Sequence, residues 1–251
     1  MLQPVCLCRM LNKFLISGRR SQEEGEKPFW ISFADLMTAL MVMFLLVMNV
    51  ALLSVTEEAS EADKSRIQRQ QERTQKIDQL LISLEKAAKK QPGIVVDKSR
   101  MMVDFGERAH FDTNSSMLNR DQILYLNEFV SDMLATVRST PGGKWLKRIV
   151  VEGYADQRGD YLLNLNLSLQ RSERVLCALL SPPSGDEHML TNEEKEMVRD
   201  YFLVGGYSYN SAKKSLEESR RIELRLEFFG LDEPRPAMSD IPRGEFGTCR
   251  I

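Results

Sequence analysis

From Ile31 to Val55 the chain is apolar at almost every position, and between Leu36 and Thr56 it carries no charge. As a helix rising about 1.5 Å per residue, that run reaches roughly 37 Å, enough to cross a hydrocarbon core of about 30 Å with some tilt. Trp30 stands at its edge, where an indole suits a membrane interface. The pattern predicts one retained transmembrane helix over residues 30–55. The preceding MLQPVCLCRMLNKFLISGRR has no basic region ahead of a continuous apolar core and no small-residue cleavage site, so it does not read as a signal peptide.

Beyond the span the pattern changes. Residues 56–90 hold neither glycine nor proline and read as helix, polar on every face at first. Ile77, Leu80, Leu81, Leu84 and Ala88 then recur at helical spacing. This stripe fits either a spacer helix in solvent or a helix that pairs with a second copy of itself. Gln91-Pro92-Gly93 stops the helix, giving a linker over 56–92.

A mixed α/β domain is predicted over 93–230. GIVVDKSRMMVDFG reads as two short strands around a turn. NRDQILYLNEFVSDMLATVR reads as a helix with Ile123, Leu126, Phe129, Val130, Met133, Leu134 and Val137 on one side. KRIVVEGYAD is a strand entering a loop, and YLLNLNLSLQRSERVLCALL a second helix, stopped by Ser181-Pro182-Pro183. A polar insertion with a short helix follows, then YFLVGGYSYN and the alternating SRRIELRLEFF. The order is β-β-α-β-α-(α)-β-β, a sheet with helices packed on it. Residues 231–251 contain three prolines and read as a surface tail.

Charge and chemistry narrow the function mainly by exclusion. With 43% apolar residues, 28% charged residues and a net charge of -2, the chain has no basic block for nucleic acid. His110 and His188 stand far apart, and the four cysteines form no CxxC, so no metal site, cofactor or thioredoxin chemistry is expected. Neither GxxxxGK[ST] nor GxSxG occurs, and nothing marks an enzyme. Basic residues flank the span evenly, Lys13, Arg19, Arg20 and Lys27 before it against Lys64, Arg66, Arg69 and Arg73 after it, so charge does not orient it.

The most specific stretch is VEGYADQRGDYLLNLNLSLQRSERV. Gly153, Tyr154, Ala155, Asp156 and Gly159, then Asn164, Leu167, Ser168 and Arg171, and finally Arg220 and Arg221, resemble the OmpA-like peptidoglycan-binding domain. HFDTNSSML, upstream, resembles that family's loop before its first long helix, and Ser172 departs from the family's usual alanine. The resemblance implies an OmpA-like βαβαβ sandwich of sheet and helices. It also implies that Asp156 and Arg171 grip a diaminopimelate-type residue of the peptide stem while Asn164 and Leu167 line the groove. The chemistry agrees: a guanidinium suits a carboxylate and an aspartate suits an ammonium. A wall-binding domain lies outside the inner membrane, which puts residues 1–29 in the cytoplasm. It also puts Cys177 and Cys249 in an oxidising compartment, where they can bridge within one chain or between two.

Asp35 is the anomaly of the span. An ionisable residue there is by default a functional candidate. On a helical wheel Thr38 and Asn49 fall within about 60° of it, a narrow polar stripe. WISFADLMTALMVMFLLVM resembles the single transmembrane helix of MotB-type stator subunits, whose aspartate carries the protons that drive rotation. The wording is more similar to the ZorB family, the MotB-like subunits of Zorya anti-phage systems, than to flagellar MotB. The resemblance implies a homodimer of this chain within a pentamer of a ZorA-like polytopic partner, anchored to peptidoglycan. A flagellar stator and a passive wall tether are the other readings.

Overall fold

The computed structural model describes residues 29–181, 190–235 and 246–249. The expected cytoplasmic tail, His188 and parts of the insertion and C-terminal tail lie outside them. The first helix, α1, spans Phe29–Ala88, and its residues fall into two compact units, Met1–Ala62 and Asp63–Ile251.

In the first unit, the described side chains from Phe33 onward are exposed. Among the described residues this is one helix long and apolar enough to cross a membrane.

The second unit contains a five-stranded sheet in the order β1-β2-β5-β3-β4, where β1 is Val95–Asp97, β2 Met102–Asp104, β3 Leu146–Gly153, β4 Phe202–Gly206 and β5 Ile222–Phe228. Only β3 and β4 pair in parallel; the other neighbours run antiparallel. Helices α2 (Arg120–Ser139), α3 (Tyr161–Leu180), α4 (Asn192–Tyr201) and the short α5 (Leu216–Ser219) complete the order, which is the α/β succession expected from sequence. A parallel pair needs a crossover, and α3 with α4 supplies it. Capping boxes start α2 (Asn119 with Gln122) and α4 (Thr191 with Glu194), each satisfying two backbone donors that a helix start leaves open.

Strand alternation sorts the two faces of the sheet. Ile149 and Val151 of β3 stand opposite Leu226 and Leu224 of β5, all at most 2% exposed, and they meet Leu126, Phe129, Met133 and Leu134 of α2 in the core. The opposite face carries charge: Arg148 pairs with Glu227, and Arg225 with the buried Glu152.

The stripe on α1 has a different fate from either expectation. Ile77, Leu80, Leu81, Leu84 and Ala88 are all at most 3% exposed and belong to the same core cluster as α2 and the sheet. Neither solvent nor a second copy covers them; the domain does. Burying a leucine stabilises by about 1.5–3 kcal/mol, so this turn-by-turn contact makes the end of α1 part of the fold.

The tail is held at both described ends. Asp232 pairs with Arg66 of α1 at 2.9 Å, Glu233 pairs with Lys147, and Arg73 donates to the carbonyl of Phe229 at 2.7 Å. Cys249 is joined to Cys177 of α3 by a disulfide within the chain.

Candidate functional site

The site forms where β3 ends and α3 begins. Gly153 closes β3 directly beneath α3, and a Cβ there would collide with the carbonyl oxygen of Ser168. Only glycine lets helix and strand approach so closely. Ser168 answers by accepting from the backbone N–H of Ser208 at 2.9 Å, while Ser172 donates to the carbonyl of Leu169 at 2.8 Å. The chain then passes through the buried Tyr154 and Ala155 to Asp156, and turns at Gly159, whose φ of +91° favours glycine.

The turn opens a cavity of about 260 Å³ lined by Thr113, Asn114, Asp156, Arg158, Gly159, Leu163, Asn164, Leu167 and Arg171. All four residues expected to form the wall site therefore share one cavity. Asn164 holds the turn, its side-chain amide donating to the carbonyl of Arg158 at 2.8 Å. Leu167, half-buried, gives the cavity an apolar side.

Asp156 is 6% exposed, and its carboxylate is already engaged. Arg158 reaches it through Nη2 to Oδ2 at 2.6 Å, Nε to Oδ1 at 3.2 Å and the backbone N–H to Oδ1 at 3.0 Å. Arg220 adds Nη1 to Oδ2 at 3.2 Å. The hydrogen bond from Arg158 comes first among the causes that hold the Asp156 carboxyl down at about 2, against the opposing effect of burial. The carboxylate does not cap α3; the N-cap is Asp160, which makes no side-chain capping bond.

Arg171 is fully buried. Its Nε donates to the carbonyl of Ser115 at 2.9 Å, Nη1 to that of Tyr154 at 2.7 Å and Nη2 to that of Asp112 at 3.1 Å. The guanidinium also lies 5.0 Å from the centre of the Phe111 ring. It therefore binds the 111–115 loop to the end of β3 and forms the cationic floor of the cavity. Burial first, and then the neighbouring Arg220, lower it to about 10.

The expected residues of the last strand do different work. Arg220 donates to the carbonyl of Phe111 at 2.8 Å as well as to Asp156. Arg221 turns away, pairing with Glu223 at 2.7 Å and stacking 4.1 Å from the Tyr154 ring centre. Sequence reasoning missed Arg158, Thr113 and Asn114 as lining residues. Arg158 occupies a variable position of the motif, and the other two lie in a loop legible only by its resemblance.

In the first unit, Thr38 donates its hydroxyl to the backbone carbonyl of Asp35 at 2.9 Å. Asp35, Thr38, Ala39, Val42 and Leu46 lie along one side of the helix.

Comparison with known proteins adds the family. The family described as membrane MotB of the proton-channel complex MotA/MotB matches residues 17–63. The Zorya protein ZorB of Escherichia coli O139:H28 is 45% identical over 231 residues, covering 92% of each chain. The chain belongs to the ZorB family. Solved structures that align with this ZorB-family chain include the periplasmic domain of Helicobacter pylori MotB, 18% identical over 58% of this chain and 85% of that one, with a TM-score of 0.39. The peptidoglycan-associated lipoprotein of Burkholderia pseudomallei is 21% identical over 47% and 88%, with a TM-score of 0.30. Membership of the ZorB family makes the chain MotB-like, with one candidate membrane span.

Proposed function

We propose that this chain is the wall-anchored stator subunit of a proton-driven membrane motor that acts, with a ZorA-type polytopic partner, in anti-phage defence. The observation that carries the reading is the coexistence, in a chain 45% identical to a Zorya protein, of an aspartate in the membrane span and a charged cavity on the distal domain. Asp35 carries the proton. One helix cannot enclose a polar path through lipid, so the partner supplies the other walls, around two copies of this chain. A proton moving down the membrane potential releases about 2.3 kcal/mol per 100 mV, and this drives the motion of partner against stator.

A stator must be held, and the cavity holds it. Asp156 accepts the ammonium of a diamino acid in the peptidoglycan stem, Asn164 and Leu167 line its path, and Arg171 forms the floor. This orientation places the amino-terminal tail in the cytoplasm and the second unit in the periplasm, where the Cys177–Cys249 disulfide is chemically at home. The test is phage plating on cells carrying the native operon with wild-type protein or Asp35→Asn at equal membrane level. Protection by the wild type alone is expected; equal protection by both removes the proton-carrying role of Asp35.

A further inference from the structure

Lys76 marks a change in how α1 is held. Its backbone carbonyl oxygen lies 2.2 Å from where a Cβ on Gly142 would stand, so helix and loop are in direct backbone contact there. One position further on, Ile77 enters the core. From Asp63 to Gln75, by contrast, every side chain is exposed except that of Arg73, which is half-buried. Even Ile67 is exposed, so apolar burial does not fix this stretch.

Polar contacts reach it instead from residues 229–235, a strap that leaves the end of β5. Asp232 pairs with Arg66 at 2.9 Å, both side chains largely in solvent, and Arg73 donates to the carbonyl of Phe229 at 2.7 Å. The Trp145 ring is a shared platform: the guanidiniums of Arg73, from α1, and Arg235, from the strap, each lie 5.6 Å from its centre. The strap has its own footing on the sheet, where Glu233 pairs with Lys147 and the N–H of Phe229 donates to the carbonyl of Trp145 at 2.8 Å. Between strap and helix, Arg66, Ile67, Gln70, Gln71, Leu231 and Asp232 line an open groove of about 490 Å³ instead of a packed interface. Exposed ion pairs are individually weak and screened by salt, whereas buried leucines are neither. A contact of this composition can part while the junction from Ile77 onward stays closed.

We propose that residues 229–235 form a releasable latch on α1, with a joint at Lys76. Latched, residues 63–75 move as one body with the sheet, through Trp145. Released, they pivot about Lys76 while Ile77, Leu80, Leu81 and Leu84 stay in the core. A pull on α1 is met by the latch before the core leucines feel it. An opened strap stays within reach, because it continues β5 at one end and, further along the chain, Cys249 is bonded to Cys177. The latch depends neither on proton flow nor on wall binding; it is a property of α1 and the domain it enters.

The experiment is pulsed electron–electron double resonance on the full chain in detergent. Cys6→Ser and Cys8→Ser leave only introduced cysteines to label, since Cys177 and Cys249 are bonded to each other. Spin labels at Gln68→Cys and Glu217→Cys, both exposed positions, read the latched stretch against the domain. Labels at Ile82→Cys and Glu217→Cys read the docked end of the same helix. A narrow distance distribution is expected for the first pair in the otherwise wild-type chain. Asp232→Arg, which sets like charges face to face, is expected to raise the displaced population roughly fivefold, the scale of one exposed ion pair reversed. Adding Arg66→Asp should restore the narrow distribution, and the second pair should not change in any variant. The latch is overturned by a distribution that Asp232→Arg leaves unchanged, or by one that Arg66→Asp does not restore. Equal broadening of both pairs also overturns it, as does a first pair already broad in the wild type.

Discussion

Nη1 of Arg171, halfway along α3, donates to the carbonyl oxygen of Tyr154 across 2.7 Å, in a region where both residues are buried. The same guanidinium holds Asp112 and Ser115, so one side chain closes the junction of a strand, a helix and a loop. Replacing it with alanine leaves three carbonyls without their donor. Arg171→Ala is expected to cost about 3–5 kcal/mol, because losing one member of a buried charged network strands its partners. Urea unfolding of the full chain in detergent, followed by Trp145 fluorescence with Trp30 replaced by Phe, measures this. Sacculus binding should fall with stability.

The Asp156 carboxyl, held at about 2 chiefly by Arg158, makes stability depend on acid. Its folded value lies below the ordinary 3.8. The group therefore contributes stability that is fully present above about pH 4 and is lost as pH falls toward 2. The span corresponds to about 2 kcal/mol. Subtracting the urea midpoints of Asp156→Asn from those of the wild type, between pH 5 and pH 2, should give a difference that shrinks as the pH falls. A pH-independent difference contradicts the assignment.

The disulfide from Cys177 to Cys249 encloses a separation of 72 residues. Closing such a loop stabilises by about 2–4 kcal/mol. Reductant should lower the unfolding midpoint of the wild type but not that of Cys177→Ser, and Cys249→Ser should behave identically. With Cys6 and Cys8 replaced by serine, a non-reducing gel should show no covalent dimer.

Leu80 and Leu84, both at 0% exposure, test whether the end of α1 belongs to the core. Each leucine-to-alanine change is expected to cost about 2–5 kcal/mol in the same unfolding measurement. Ile67→Ala, at a position 58% exposed on the same helix, should cost less than about 0.5 kcal/mol. Similar small effects at all three positions place the stripe outside the core.

The sequence by itself determined the long apolar helix, the order of elements and the identity of the motif. Those signals are local: a 3.6-residue stripe over α2, alternation along β5, a proline pair after α3 and a fixed spacing from Gly153 to Arg171 are all written in neighbouring residues. Only the tertiary structure decided what the stripe on α1 touches, since an apolar face specifies burial without naming its cover. It also tied Arg171 to three carbonyls at the floor of the cavity and paired Asp156 with Arg158. The carbonyls of Asp112 and Ser115 lie 59 and 56 positions from Arg171, and no local pattern records that meeting. Hydrogen-bond donors in a buried site go to whichever acceptors the fold brings within reach, because leaving either unpaired away from water is costly.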